Sequence, residues 1–159
     1  KYFLISAVDI FTISSQKQFE KIALKVFRSQ HENNLVYRDF CNHLNVDKHK
    51  VKSLEQIPFL PIQFFKSHKV ISSADAIQET FTSSGTTGIT TSKHFVTDIT
   101  LYEESYRKAF TAFYGNIEDY VILALLPSYL ERDGSSLIYM VDDLRKLSNN
   151  PESGFYVNQ

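Results

Sequence analysis

Hydroxyl side chains and glycines crowd into one short stretch of this chain, Thr82-Ser83-Ser84-Gly85-Thr86-Thr87-Gly88. The two glycines let the backbone take positive φ and approach a ligand with no Cβ in the way. Successive N–H groups in such a turn converge into an anion-binding nest. The Ser and Thr hydroxyls add donors that rotate toward an oxyanion. Lys93, with His94 beside it, brings positive charge shortly after. Together these residue types read as a cradle for a polyphosphate. The competing reading is a plain surface turn, because Ser, Thr and Gly also gather wherever two periodic segments are joined. A Walker A loop is a poor match: no Lys-Ser or Lys-Thr follows Gly88, and no helical pattern begins there. Strand-like flanks at 78–82 and 93–97 predict a hairpin-like loop instead.

The elements that must position this loop can be read in order. A helix is predicted over 15–30, where Ser15 and Gln18 form a capping-box pair and Phe19, Ile22, Ala23, Val26 and Phe27 recur at helical spacing. A second helix follows over 35–44, with Leu35, Val36, Phe40 and Leu44 inward and Asn33-Asn34 between the two. Cys41 on it is expected to be a buried structural thiol, and His43 and His49 surface residues. Residues 46–56 read as a linker or short helical turn. Pro58 and Pro61 restrict the backbone, with Pro61 suited to N1 of a short helix over 62–66. Phe59, Leu60, Ile62, Phe64 and Phe65 are expected to pack as core beneath the loop; lining an acyl pocket is the alternative. Strands at 69–72 and 76–81 lead into the loop.

Beyond it, Thr100 with Glu103 predicts a further capping box. Tyr102, Tyr106, Ala109, Phe110 and Phe113 form one helical face, and Gly115 is the stop. The continuous apolar run 120–126 reads as a strand buried on both faces, and its place after a helix implies a parallel α/β core. The turn at its carboxyl end, 127–133, lies where open α/β sheets collect ligands. Tyr129, Glu131 and Arg132 are therefore candidate substrate-binding residues, with an exposed ion pair as the alternative for Glu131 and Arg132. Ser135 or Ser136 caps a last helix with Ile138, Val141, Leu144 and Leu147 inward. A turn over 149–154 leads to a strand at 155–157. The expected organisation is a helical segment, 1–56, followed by an α/β core, 57–159, with a mostly parallel sheet.

Composition narrows the classes. With 43% hydrophobic residues over 159 positions, the chain can bury a sizeable core. A net charge of −1 leaves no basic footprint for nucleic acid. The lone cysteine excludes an intrachain disulfide and suits a reducing cytoplasm. No second cysteine or spaced histidine supplies a metal site. The apolar start is broken by Asp9 and is not expected to be a signal peptide, and no apolar run reaches the ~18 residues of a membrane span.

The loop does not stand alone. Ile57-Pro-Phe-Leu-Pro-Ile-Gln-Phe-Phe-Lys66 precedes it, Ser92-Lys93-His94 follows it, and Leu126-Pro-Ser-Tyr-Leu-Glu-Arg132 and Ser135-Ser-Leu-Ile-Tyr-Met140 come later. The loop resembles the phosphate signature of the adenylate-forming superfamily. The spaced blocks resemble the acyl-protein synthetase family of the LuxE type. This resemblance implies ATP-dependent activation of a fatty acid or other carboxylic acid as acyl-adenylate, with Mg²⁺ as counter-charge, then acyl transfer to a protein cysteine. It implies that residues 82–88 and Lys93 hold the β- and γ-phosphates, and it suggests an acyl-reductase as partner protein. The lid lysine and acyl-accepting cysteine of such enzymes are expected outside this chain, which looks like an amino-terminal portion with little turnover of its own. Cys41 does not match that cysteine. A coenzyme A ligase of the phenylacetate type and a non-catalytic nucleotide- or acyl-binding module are the alternatives.

Overall fold

A computed structural model describes residues 7–83, 91–126 and 134–157. The chain divides into two units, residues 1–76 and 77–159. The first is helical: α1 (Ala7–Phe11), α2 (Gln16–Asn33), α3 (Leu35–His43), a 3-10 turn at Leu54–Gln56, and α4 (Phe64–Ser67). The Ser15 hydroxyl accepts from Gln18 N–H and starts α2, as predicted. The reciprocal half of the expected box is displaced by one residue: Gln18 Oε1 accepts from Ser14 N–H at 2.9 Å. Asn34 then serves both helices. Its N–H donates to Gln30 O at 2.8 Å, closing α2. Its side-chain oxygen accepts from Tyr37 N–H at 3.1 Å, opening α3.

That cap sets the phase of α3, and the phase corrects the expected inward face. Tyr37 and Cys41, one turn apart, are buried with Phe27 and Val51, and Phe40 and Leu60 pack against them. Leu35 lies two residues before Tyr37, on the opposite side of the helix, and faces solvent. Leu44 has left helical geometry as the cap residue and is also exposed. Tyr37 Oη donates to Pro58 O at 2.6 Å, fastening the proline segment to α3. In that extended segment alternate residues face opposite ways: Leu60 joins the core, whereas Phe59 is 81% exposed. Ile62 is exposed as well, so the expected five-residue apolar cluster is only partly core. Pro61 supplies the first carbonyl of the α4 turn, to Phe64 N–H, rather than occupying N1. No strand forms at 69–72, where Val70 is buried and Ser72 Oγ bonds the Gln30 side chain. Burial pushes the Cys41 thiol up, away from the nucleophilic thiolate.

The second unit contains β1 (Glu79–Thr82), β2 (Lys93–Val96), α5 (Ile99–Tyr114), β3 (Leu123–Ala124), α6 (Ser136–Leu147) and β4 (Gly154–Phe155). β1 and β2 pair antiparallel, with Thr82 opposite Lys93. The flanks of the hydroxyl-glycine loop are therefore the expected hairpin. β3 pairs with β4 in parallel, with α6 between them in sequence. The fold mixes helix and sheet, and among the described residues the longer ladder is antiparallel.

Several expectations for this unit need correction. Asp98, not Thr100, caps α5, accepting from the N–H groups of Thr100 and Leu101. Glu103 is unavailable for a box because it accepts from Tyr139 Oη at 2.7 Å and pairs with Arg107 at 3.2 Å. Phe113 is 83% exposed and Ala109 is exposed too, so the buried face of α5 runs through Tyr102, Tyr106 and Phe110. The run 120–126 is not buried on both faces: Ala124 is buried, but Leu123 and Leu125 are 61% and 76% exposed. Its ladder to β4 spans two residue pairs, so the strand is short. Leu147 also points outward, while Ile138 and Leu144 are buried as expected. No described helix is long and apolar enough to cross a membrane.

A polar lock joins α5 to α6. Arg107 grips Asp143 with two bonds of 2.8 and 2.7 Å, and Tyr106 Oη donates to the same carboxylate at 2.7 Å. Burial alone would raise the Asp143 carboxyl, but donation from Arg107 and Tyr106 outweighs it and holds the group below its usual range. A depressed folded-state value stabilises the fold above the unfolded value of about 3.9 and is lost as pH falls through the folded one.

Asp143→Asn is expected to cost about 1–2 kcal/mol at neutral pH, discounted for the partly exposed guanidinium. In urea melts it should then lose less further stability than wild type below about pH 4. Identical pH slopes would show that the pair contributes nothing. In the native protein, Cys41 should react with a thiol reagent on the order of a hundredfold more slowly than after denaturation; equal rates would contradict its burial.

Candidate functional site

The strand leading into the loop packs onto the helices through a buried aromatic ring. Phe81 is buried, with its ring centroid 5.1 Å from Tyr102 on α5 and 5.6 Å from Tyr139 on α6. Both tyrosines are anchored at their far ends. Tyr102 Oη donates to Ser136 O at 3.0 Å, and Tyr139 Oη donates to Glu103. Burial and the neighbouring Glu103 carboxylate push the Tyr139 phenol up, so it stays a neutral donor. Successive strand residues alternate sides, so anchoring Phe81 inward turns Thr80 and Thr82 to the opposite face.

Thr80 and Thr82 line a polar cleft of about 410 Å³, together with Ile77, Gln78, Glu79 and Gly134. Gln78 Oε1 accepts from Ile99 N–H at 2.9 Å, tying the cleft to the start of α5. Glu79 Oε1 accepts from Thr80 N–H at 2.8 Å, satisfying a donor on the strand's outer edge.

At the base of the loop, neighbouring amides point in opposite directions. Thr82 N–H donates to Gly134 O at 2.8 Å, and Ser83 N–H donates to Ser92 O at 3.1 Å. Ser92 N–H returns to Ser83 Oγ at 3.0 Å. Both amides are thus committed to structure. The Ser83 hydroxyl keeps its own proton to donate. Lys93, across from Thr82, is exposed at this end of the hairpin.

Thr82, Ser83 and Lys93 are therefore brought together. Ser84, Gly85, Thr86, Thr87 and Gly88 lie outside the described residues, as do Tyr129, Glu131 and Arg132. Gly134 escaped the sequence reading. The available signal was a glycine standing immediately before the helix-capping Ser135, a place where the chain turns sharply into a new element. Among the described residues no three His, Cys, Asp or Glu side chains are grouped to hold a metal ion.

Comparison with known proteins gives two findings. A long-chain-fatty-acid–luciferin-component ligase of Vibrio harveyi is 35% identical over 80 residues, 49% of this chain and 21% of that protein. The match thus spans about a fifth of the relative's length. No solved structure matches. The family acyl-protein synthetase, LuxE, matches residues 4–104, which is more than half of the chain and includes the whole loop hairpin. On that match the chain belongs to the LuxE family of acyl-protein synthetases.

Proposed function

We propose that this chain carries the triphosphate-holding part of an enzyme that activates a fatty acid with ATP and passes the acyl group to a protein cysteine. A carboxylate oxygen attacks the α-phosphorus, and pyrophosphate leaves. A cysteine thiolate then attacks the acyl carbonyl, forming a thioester and releasing AMP. The observation that carries this reading is the hairpin, which holds Thr82, Ser83 and Lys93 at the mouth of a hydroxyl- and glycine-rich loop. Family membership and the fatty-acid relative support the acid as substrate.

Negative charge accumulates on pyrophosphate as its bond to the α-phosphorus breaks. Donors already aimed there stabilise that change without reorganising, at roughly 3 kcal/mol for a well-placed donor. Thr82 and Ser83 offer hydroxyls rather than amides for this purpose, since their N–H groups are committed. The remaining donors are assigned to Ser84, Gly85, Thr86, Thr87 and Gly88. Lys93 adds a charge that tracks the tail from the neighbouring strand. Mg²⁺ would be held mainly by phosphate oxygens, as is common where few carboxylates are offered. The acyl-accepting cysteine is assigned outside this chain, because burial disarms the Cys41 thiol. The thioester product suits a partner that reduces acyl groups.

The full-length protein should exchange labelled pyrophosphate into ATP when supplied with a long-chain fatty acid. Absence of exchange across acyl lengths would remove the adenylation claim. Gly85→Val should abolish that exchange with little change in thermal midpoint, because a branched side chain obstructs phosphate approach. Lys93→Ala should weaken apparent ATP affinity about tenfold, in line with loss of a charged contact, and an unchanged affinity would release Lys93 from the site.

A further inference from the structure

Gly134 is where two separate sequence blocks meet. It directly follows the 127–133 stretch, and its carbonyl takes the amide proton of Thr82, the last residue of β1. Its φ of +77° belongs to the left-handed region that side chains rarely adopt. A Cβ added there would stand 3.0 Å from Thr82 Oγ1 and 3.6 Å from Thr80 O. The positive φ by itself disfavours any side chain at this position, and a Cβ would further require the Thr82 hydroxyl to give way by a few tenths of an ångström.

We propose that Gly134 is a positioning residue for nucleotide binding, fixing where β1 releases the chain into the hydroxyl-glycine loop. The inference rests on the phosphate-loop reading above. The surroundings direct the effect toward the loop. Thr82 is held on one side by Gly134, and Ser83 is tied on the other side to Ser92 by two bonds. Phe81, behind them, is packed between two anchored tyrosines. Because Phe81 is packed against both tyrosines, the strand resists retreat, and a shift of the Gly134 carbonyl changes where Thr82 delivers the chain to the loop.

Gly115 provides the matched control. Its φ is +88°, so a side chain there also meets an unfavourable backbone, but a Cβ would find nothing within 4 Å. In the full-length protein, Gly134→Ala and Gly115→Ala should both lower the thermal midpoint. Only Gly134→Ala should raise the KM for ATP in pyrophosphate exchange, by about fivefold or more, with the fatty-acid KM changing less than about twofold. Equal KM values for ATP in the two variants would overturn the assignment, leaving Gly134 a structural glycine. Should the wild type exchange no pyrophosphate, the nucleotide reading fails by itself. Amide hydrogen exchange at Thr82 and Ser83 then decides the joint: faster exchange in Gly134→Ala than in Gly115→Ala retains it, and equal rates remove it.

Discussion

The packing of Phe81 between Tyr102 and Tyr139 is the contact on which the second unit depends. A strand of four residues cannot hold a fixed position through ladder bonds alone, since an isolated hairpin is marginal in water. Burying one aromatic ring between two helices supplies what the ladder lacks. Full burial of a phenylalanine side chain contributes on the order of 1.5–3 kcal/mol, and edge-on aromatic contacts add to it. The hydroxyls of the two tyrosines are bonded at their outer ends, so the rings are oriented as well as buried. Fixing one side chain on the inner face fixes Thr80 and Thr82 on the outer one, because a strand has only two faces.

Polar bonds around α5 and α6 serve geometry more than stability. Arg107, Glu103, Tyr106, Tyr139 and Asp143 form one connected set. Each carboxylate accepts from at least one tyrosine and the guanidinium, so neither is left buried and unpaired, the arrangement that would be expensive. The Arg107 fork on Asp143, with the Tyr106 hydroxyl on the same carboxylate, ties the rotation of α6 about its axis to α5. The rotation matters because Gly134 and the capping Ser135 lie at the amino end of that same helix.

The hairpin was legible because its signals are local: strand-like flanks, then glycines and hydroxyls between them. The α2 cap and the buried Cys41 were legible for the same reason. Failures came where a residue's environment depends on distant partners. Glu103 has a capping-box spacing from Thr100, yet Asp98 takes the cap and Tyr139, 36 residues away, takes the Glu103 carboxylate. Leu123 and Leu125 read as buried because continuous apolar runs usually are, but burial requires layers on both faces, and a run cannot report which layers exist. Phe59 and Leu60 show the same limit in miniature, adjacent apolar residues separated by the alternation of an extended segment. Gly134 was invisible for a different reason: its importance lies in a contact with a strand more than fifty positions earlier.

The difference between this hairpin and a strand-to-helix phosphate loop bears on where the attraction for an anion originates. A loop that opens into a helix borrows the helix's free N–H groups and its dipole. Here the chain leaves one strand and returns on another, and the amides of Thr82 and Ser83 are already spent on Gly134 and Ser92. On the proposed reading, attraction must then come from hydroxyls, from amides deeper in the loop and from Lys93. Hydroxyls and a lysine on a flexible stem are adjustable donors, suited to a triphosphate tail that must be held in one step and released as pyrophosphate in the next. On that reading the described base of the hairpin, Phe81, Thr82, Ser83 and Gly134, supplies the fixed geometry from which such donors work.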